Sequence, residues 1–204
     1  TWILQNNFVY LNIKQDMSYL HFEELIKKVD HIDGNYVECG VGDGTSLDRI
    51  SRLMQGECIK QRKIFAYDSF EGIPSRTSDF DIIYGEGRCS FPLSDVQNQI
   101  KKFTNIDYTI TKGWFKDTLV SYPGLPIAVL NLDVDIYPSY KECLETLYTY
   151  VQPGGLILFD EYSRPLDLIK WPGAKIAIDE FFTPLNIPIK TTSETGMSYI
   201  FKPI

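Results

Sequence analysis

The sequence lacks any run near the roughly 18 consecutive apolar residues that a membrane span needs, and it lacks a surplus of positive charge. Its 20 Lys and Arg stand against 27 Asp and Glu, for a formal charge of -7. That balance excludes the basic stripe of a nucleic-acid surface and reads as solubility. The four cysteines, Cys39, Cys58, Cys89 and Cys143, form no CxxC pair and no disulfide-scaffold spacing. They read as reduced thiols of a cytoplasmic protein. Histidine is scarce: His21 and His31 sit in or near an N-terminal helical pattern. Both read as surface residues, with His21 the one that could border a site. Thr1–Asn7 has neither a basic n-region nor an apolar h-region, so no signal peptide is expected. An initiating Met is also absent, as in a trimmed chain. Repeats, low-complexity tracts and a second domain are missing as well. With 44% hydrophobic and 23% charged residues, the 204 residues read as one soluble domain with a real core.

What is present centres on Ile127–Tyr137. Ile127, Val129, Leu130 and Leu132 form a buried-strand pattern that leads into Asp133 and Asp135. Uncompensated carboxylates do not stay in a core, so these acids should emerge at the carboxyl edge of a sheet, both facing one site by strand alternation. A second apolar run, Gly155–Phe159, ends in Asp160 and Glu161. Two strand tips with paired acids predict a carboxylate cluster, which a bound cation would keep charged.

Upstream, the strand pattern Tyr36–Cys39 meets Gly40-Val-Gly-Asp-Gly-Thr-Ser46 and then the helical spacing Leu47, Ile50, Leu53, Met54. Strand, glycine turn and helix start are the parts of a nucleotide-cofactor loop. The next strand, Lys63–Asp68, ends in an acid placed for ribose hydroxyls. Glu38 and Asp43 flank the turn with negative charge, which suits a cationic ligand better than a pyrophosphate. S-adenosylmethionine, with its sulfonium, fits better than NAD. The remaining order alternates. A helix is expected from Asp16 to Val29, a punctuated lid over 72–92, and a helix from about Ser94 to Phe103. A strand follows at Tyr108–Thr111, a helix start at Gly113–Leu119, and a helix from Pro138 to Val151 that Pro153-Gly-Gly155 breaks. Trp171–Phe182 is read as helix, and 187–191 with 197–201 as a closing hairpin. The fold class is α/β: a Rossmann-like class I methyltransferase fold, seven strands, mostly parallel, with one antiparallel strand near the C-terminus.

With those residues assembled, the chain resembles the TylF-like family of macrocin and mycinamicin sugar O-methyltransferases. The matching segments are YVECGVGDGTS (36–46), AYDSFEGIP (66–74), KGWFKDTL (112–119), IAVLNLDVDIYPSYKECLETLY (127–148) and VQPGGLILFDEY (151–162), with a weaker echo in IAIDEFF (176–182). The resemblance implies an S-adenosylmethionine-dependent enzyme with a divalent ion, usually magnesium, and a hydroxylated small-molecule acceptor such as a sugar. It implies Asp133, Asp160 and Glu161 as metal ligands and Asp135 as general base. Glu38, Gly40, Gly42, Asp43, Thr45, Ser46, Asp68, Ser69, Gly113, Trp114 and Asp133 would line the methyl donor, Trp114 near its adenine. Neither nucleic acid nor a membrane is an expected partner, and a homo-oligomer is compatible with the sequence. This chain departs from the family pattern in three places. Val134 replaces the usual Gly between the first acids, Asp160-Glu161 replaces Asp-Asp, and Gly42-Asp43 replaces Trp-Arg. Rival readings are an NAD-dependent dehydrogenase, a metal-dependent glycosyltransferase using Asp-x-Asp, and a non-catalytic binding module on the same fold.

Overall fold

The computed structural model describes residues 20–75, 78–81 and 86–204. The expected start of the first helix near Asp16 and Ser18, and the lid residues Tyr84 and Gly85, lie outside those residues. A seven-stranded sheet runs in the order β3-β2-β1-β4-β5-β7-β6. Its strands are β1 (Asn35–Cys39), β2 (Ile64–Asp68), β3 (Tyr108–Lys112), β4 (Ile127–Leu132), β5 (Val151–Phe159), β6 (Lys190–Thr191) and β7 (Ser198–Phe201). The first five pair in parallel, and β7 alone runs antiparallel to both its neighbours.

Side-chain alternation on these strands divides the core into two layers. Val37, Cys39, Phe65, Tyr67, Ile157 and Phe159 face one side, where α5 (Tyr137–Leu147) and α7 (Pro172–Phe182) add Cys143, Leu144, Ala177 and Ile178. Tyr36, Ile64, Ala66, Leu156 and Leu158 face the other, against α1 (residues 20–28), α2 (Thr45–Gln55) and α3 (Leu93–Ile100). Helix α2 contributes Leu47, Ile50 and Met54, the stripe its sequence spacing predicts.

Several elements differ from the sequence reading. The helix expected through Val151 stops at Leu147 and tightens into a 3-10 turn, Tyr148–Tyr150. Strand β5 then begins at Val151 and runs through Pro153-Gly-Gly155 instead of starting after it. The ladder to β4 shifts register between Ile127 and Val129, and Gly154 takes φ 79°, so a bulge absorbs the residues that looked like a breaker. Helix α4 is only Phe115–Thr118. A short helix, α6 (Pro165–Lys170), had no periodic signal, and its Leu166 and Ile169 are exposed.

One buried cation holds the N-terminal side of the sheet. The Arg62 side chain donates to the carbonyls of Ile32 (2.8 Å), Gly34 (2.7 Å), Val29 (3.0 Å) and Asp30 (3.2 Å), which close the end of α1 and the turn into β1. Helix-terminal carbonyls need such partners when water is excluded. Replacing Arg62 with Met should cost about 3 kcal/mol, or roughly 6–12 °C in Tm. A shift of less than about 1 °C in a thermal melt would show that solvent or a neighbouring group replaces those bonds.

Candidate active site

The strand order reverses between β1 and β4, which leaves a crevice outside their carboxyl ends. A cavity of about 410 Å³ occupies it. The two tips almost touch. A Cβ on Gly40 would lie 1.6 Å from the Asp133 carbonyl oxygen, and Gly40 has φ 84°, so only glycine fits there.

On the β1 side, the glycine turn is held by acids from both strands. Asp68 Oδ2 accepts the Val41 N–H at 2.7 Å and the Gly42 N–H at 3.0 Å, while Oδ1 accepts that of Phe70 at 2.6 Å. Asp68 therefore fastens the turn to the tip of β2 while still facing the cavity. Glu38 lies fully buried beneath the turn. Tyr36 donates to its Oε2 at 2.8 Å, and the Ser46 hydroxyl donates to its Oε1. Burial pushes the Glu38 carboxyl up to about 7, against the pull of those hydrogen bonds. Gly40, Gly42, Asp43, Thr45, Ser46, Asp68, Ser69, Gly113, Trp114, Asp133 and Asp135 all line the cavity. Glu38, Asp160 and Glu161 are not among the lining residues: Glu38 and Glu161 are buried, and Asp160 is exposed.

The acids on the β4 side converge by a route that strand alternation does not supply. Strand β4 ends at Leu132. Beyond it the Ile136 N–H reaches the Val134 carbonyl at 2.6 Å, and Asp135 adopts φ 61°. This tight turn, rather than a continued strand, brings Asp135 back towards Asp133. Carboxylate oxygens of Asp133, Asp135 and Glu161 lie within 4.8 Å of one another. The Asp135 N–H donates to Glu161 Oε2 at 3.3 Å. Asp160 stands beside this group, with its Oδ2 receiving Arg164 Nη2 at 2.6 Å. The four expected acids thus divide into three together and one shared with a guanidinium.

Crowding of like charge dominates the electrostatics. Asp133 meets solvent through the cavity, but protein encloses it on the other sides. That enclosure, then the charges of Asp160 and Asp135, pushes its carboxyl well above the usual range. Asp135 is raised to about 7 by its surroundings and by Asp160 and Asp68, with Lys170 opposing. Glu161 is pushed up by burial and then by Asp133, Asp160 and Asp135. Three hard oxygen donors at this separation match what a magnesium- or calcium-sized ion takes, so the residues fit a divalent cation. The acids do not cap α5. Its first N–H, on Tyr137, goes to Asp81 Oδ1 of the lid segment at 3.1 Å. Gly173 leaves room for that carboxylate, since a Cβ there would meet Asp81 Oδ1 at 2.1 Å.

Sequence reasoning missed Arg49. Among the described lining residues it is the one basic side chain, against Asp43, Asp68, Asp133 and Asp135. Its signal was its place one turn into α2, on the face that carries Thr45 and Ser46. Segment 72–92 contributes Ile73 and Pro74, which end the motif AYDSFEGIP, together with Cys89 and Phe91, which no motif covers. His21 meets Thr195 at 2.9 Å and Glu194 at 3.5 Å, at the β6–β7 turn, and is not among the lining residues.

The family described as Macrocin-O-methyltransferase (TylF) matches residues 14–198. An 8-demethyl-8-(2,3-dimethoxy-alpha-L-rhamnosyl)-tetracenomycin-C 4'-O-methyltransferase of Streptomyces olivaceus is 32% identical over 66% of this chain and 55% of its own length. A demethyldecarbamoylnovobiocin O-methyltransferase of Streptomyces niveus is 29% identical over 78% of this chain and 62% of its own. The chain therefore spans little more than half the length of these curated relatives. Among solved structures, a calicheamicin methyltransferase superposes with TM-score 0.79 at 24% identity, covering 92% of this chain and 79% of that one. The likeness to that structure is one of fold, and the family match extends over all five segments that carry the sequence motifs. The chain belongs to the macrocin O-methyltransferase (TylF) family.

Proposed function

We propose that this chain carries S-adenosylmethionine-dependent methyl transfer to a hydroxyl of a sugar or other polyhydroxylated small molecule, assisted by a divalent cation, magnesium in the first instance. The observation that carries the reading is the meeting of Asp133, Asp135 and Glu161 across one cavity from the glycine turn. Related proteins with rhamnosyl-tetracenomycin, demethyldecarbamoylnovobiocin and mycinamicin III in their names support a glycosylated natural product as the acceptor class.

Methyl transfer is an in-line displacement, so the protein must align the acceptor oxygen with the sulfonium methyl and take up the hydroxyl proton. Gly40, Gly42, Thr45 and Ser46 form the wall for the donor, Asp68 and Ser69 stand where its ribose would lie, and Gly113 and Trp114 face its adenine. Arg49 is the group for the donor carboxylate, while Asp43 and the other acids favour its positive centre. Asp133, Asp160 and Glu161 are the proposed cation donors, with Asp160 shared with Arg164 in this structure. A cation bound there lowers the acceptor hydroxyl pKa and orients neighbouring oxygens. Asp135, on its tight turn facing the cavity, is the base for the hydroxyl proton. A dehydrogenase would leave the acid cluster without work, and a glycosyltransferase would leave the glycine turn without work. A binding module would need neither the cluster nor the base.

The first test is thermal unfolding with S-adenosylhomocysteine, NAD or UDP, each with magnesium or EDTA. A ligand at about 100 times its Kd adds about 2.7 kcal/mol, or roughly 5–10 °C at this size. A shift with S-adenosylhomocysteine is expected, and a shift only with NAD, or only with UDP and magnesium, would promote a rival. Asp133→Asn should abolish turnover and magnesium dependence with donor binding retained, whereas near-native turnover would remove Asp133 from the cation site. Asp135→Asn should keep the metal and lose rate, by roughly 100-fold or more; an unchanged rate would assign the base elsewhere.

Magnesium stabilisation should also depend on pH. Asp135 has a folded value of about 7 against an ordinary value of 3.8. Its contribution to stability is complete below about 4 and is lost as pH rises through about 7. The carboxyls of the proposed donors Asp133 and Glu161 are raised as well, and a cation takes their deprotonated forms, so the magnesium-induced rise in Tm should be larger at pH 8 than at pH 5. Equal rises at both pH values would place the ion away from these carboxylates.

Arg49→Met should weaken S-adenosylhomocysteine by roughly 10-fold or more, while 5'-methylthioadenosine, which has no carboxylate, keeps its affinity. Equal loss for both ligands would mean that Arg49 only supports the turn.

A further inference from the structure

The hydroxyl of Tyr140 is the buried polar group near the site that the proposed chemistry leaves unused. Tyr140 is 0% exposed and Glu161 2% exposed. On α5, Tyr140 occupies an inward position with Cys143, Leu144 and Leu147, where a phenylalanine would fill the same space. A hydroxyl in such a place must be paired, and its pairing is specific. It donates to Glu161 Oε2 at 2.7 Å, with the Leu132 carbonyl at 3.2 Å, and the Glu161 N–H approaches its oxygen at 3.4 Å. The Asp135 N–H reaches the same Oε2 at 3.3 Å. One carboxylate oxygen of Glu161 is therefore held by two protein donors.

We propose that Tyr140 is a positioning residue for the cation site: its phenol takes up the extra reach of glutamate at position 161 and fixes that carboxylate towards Asp133. This rests on the divalent-cation reading above. A glutamate has one more rotatable bond than an aspartate, so an unheld Glu161 would spread over more orientations and bind an ion less well. The phenol offsets that freedom with one short hydrogen bond in a dry environment. Phe159 packs near the ring, with centroids 6.5 Å apart, so the ring stays located when the hydroxyl is removed.

The experiment is calorimetric titration of magnesium and manganese into metal-stripped full chain, without donor or acceptor, for the wild type, Tyr140→Phe, Glu161→Asp and the double variant. S-adenosylhomocysteine affinity of each protein is the control for folding. Tyr140→Phe should weaken the ion about 10-fold and leave S-adenosylhomocysteine within about 2-fold. In the Glu161→Asp background the same change should cost less than about 3-fold, because the shorter carboxylate withdraws from the phenol. Unchanged metal affinity in Tyr140→Phe, or an equal loss in both backgrounds, would overturn the proposal and leave Tyr140 a packing residue. A wild type that binds S-adenosylhomocysteine but takes up no ion would overturn the cation reading and this inference together. An ion-binding wild type matched by Tyr140→Phe would overturn this inference alone.

Discussion

Like charges crowded at the end of two adjacent parallel strands set the terms for the rest of the molecule. Asp133, Asp135 and Glu161 bring oxygens within 4.8 Å of one another, and Asp160 stands beside them. Ionising all of them together is costly in an enclosed site, so each of the three is pushed towards its protonated form. The chain relieves this at separate points. Arg164 neutralises Asp160 and is itself braced by Asp167 at 2.7 Å. Tyr140 and the Asp135 N–H give Glu161 its hydrogen bonds. Asp133 keeps an open face towards the cavity. What remains uncompensated is a cluster with an appetite for positive charge.

The opposite wall handles charge differently. There Asp68 and Glu38 spend most of their hydrogen-bonding capacity on the glycine turn and the first turn of α2. A turn whose N–H groups are already satisfied is rigid before any ligand arrives, which reduces the entropy lost on binding. The price is that Glu38 sits in the core near neutrality, with Tyr36 and Ser46 holding it. Arg49 supplies the single positive group of the described lining. A zwitterionic ligand with a cationic centre and an anionic end fits this distribution, and a polyanion does not.

Both walls depend on the close passage of Gly40 against Asp133. Strand β1 pairs β4 residue for residue from Tyr36 to Cys39. The two chains then separate at the tips, one into the glycine turn and the other into the acid turn. A side chain at Gly40 would force the tips apart, and glycine turn and acid cluster would no longer share one cavity. Ile73, Pro74, Cys89 and Phe91 line a third side, and Asp81 of the same segment joins the start of α5 in the space left by Gly173.

Much of this was legible in the residues. The apolar runs of β4 and β5 and the acids after them identified the carboxyl edge, because a buried strand cannot keep an unpaired ion. The glycine turn between Cys39 and Leu47 identified one wall of the cavity, because close backbone approach needs glycine. Alternation of strand and helix patterns determined the class of sheet. Other features depend on how the chain is folded. Arg164 lies only four residues beyond Asp160, but whether Asp160 pairs with it or joins the cluster depends on how the chain turns into α6. Pro153-Gly-Gly155 has the composition of a breaker, and it is strand because β4 and β7 flank it and a bulge takes up the extra residues. Arg49 and Tyr140 look like ordinary helix residues, and their roles come from α2 and α5 docking beside the strand tips. Local composition determined which elements form and where acids must surface, because propensity and burial cost act at short range. Which acids share a site, and which side chains hold them, only the tertiary structure decided, because hydrogen bonds and like-charge contacts depend on distances that the order of residues does not contain.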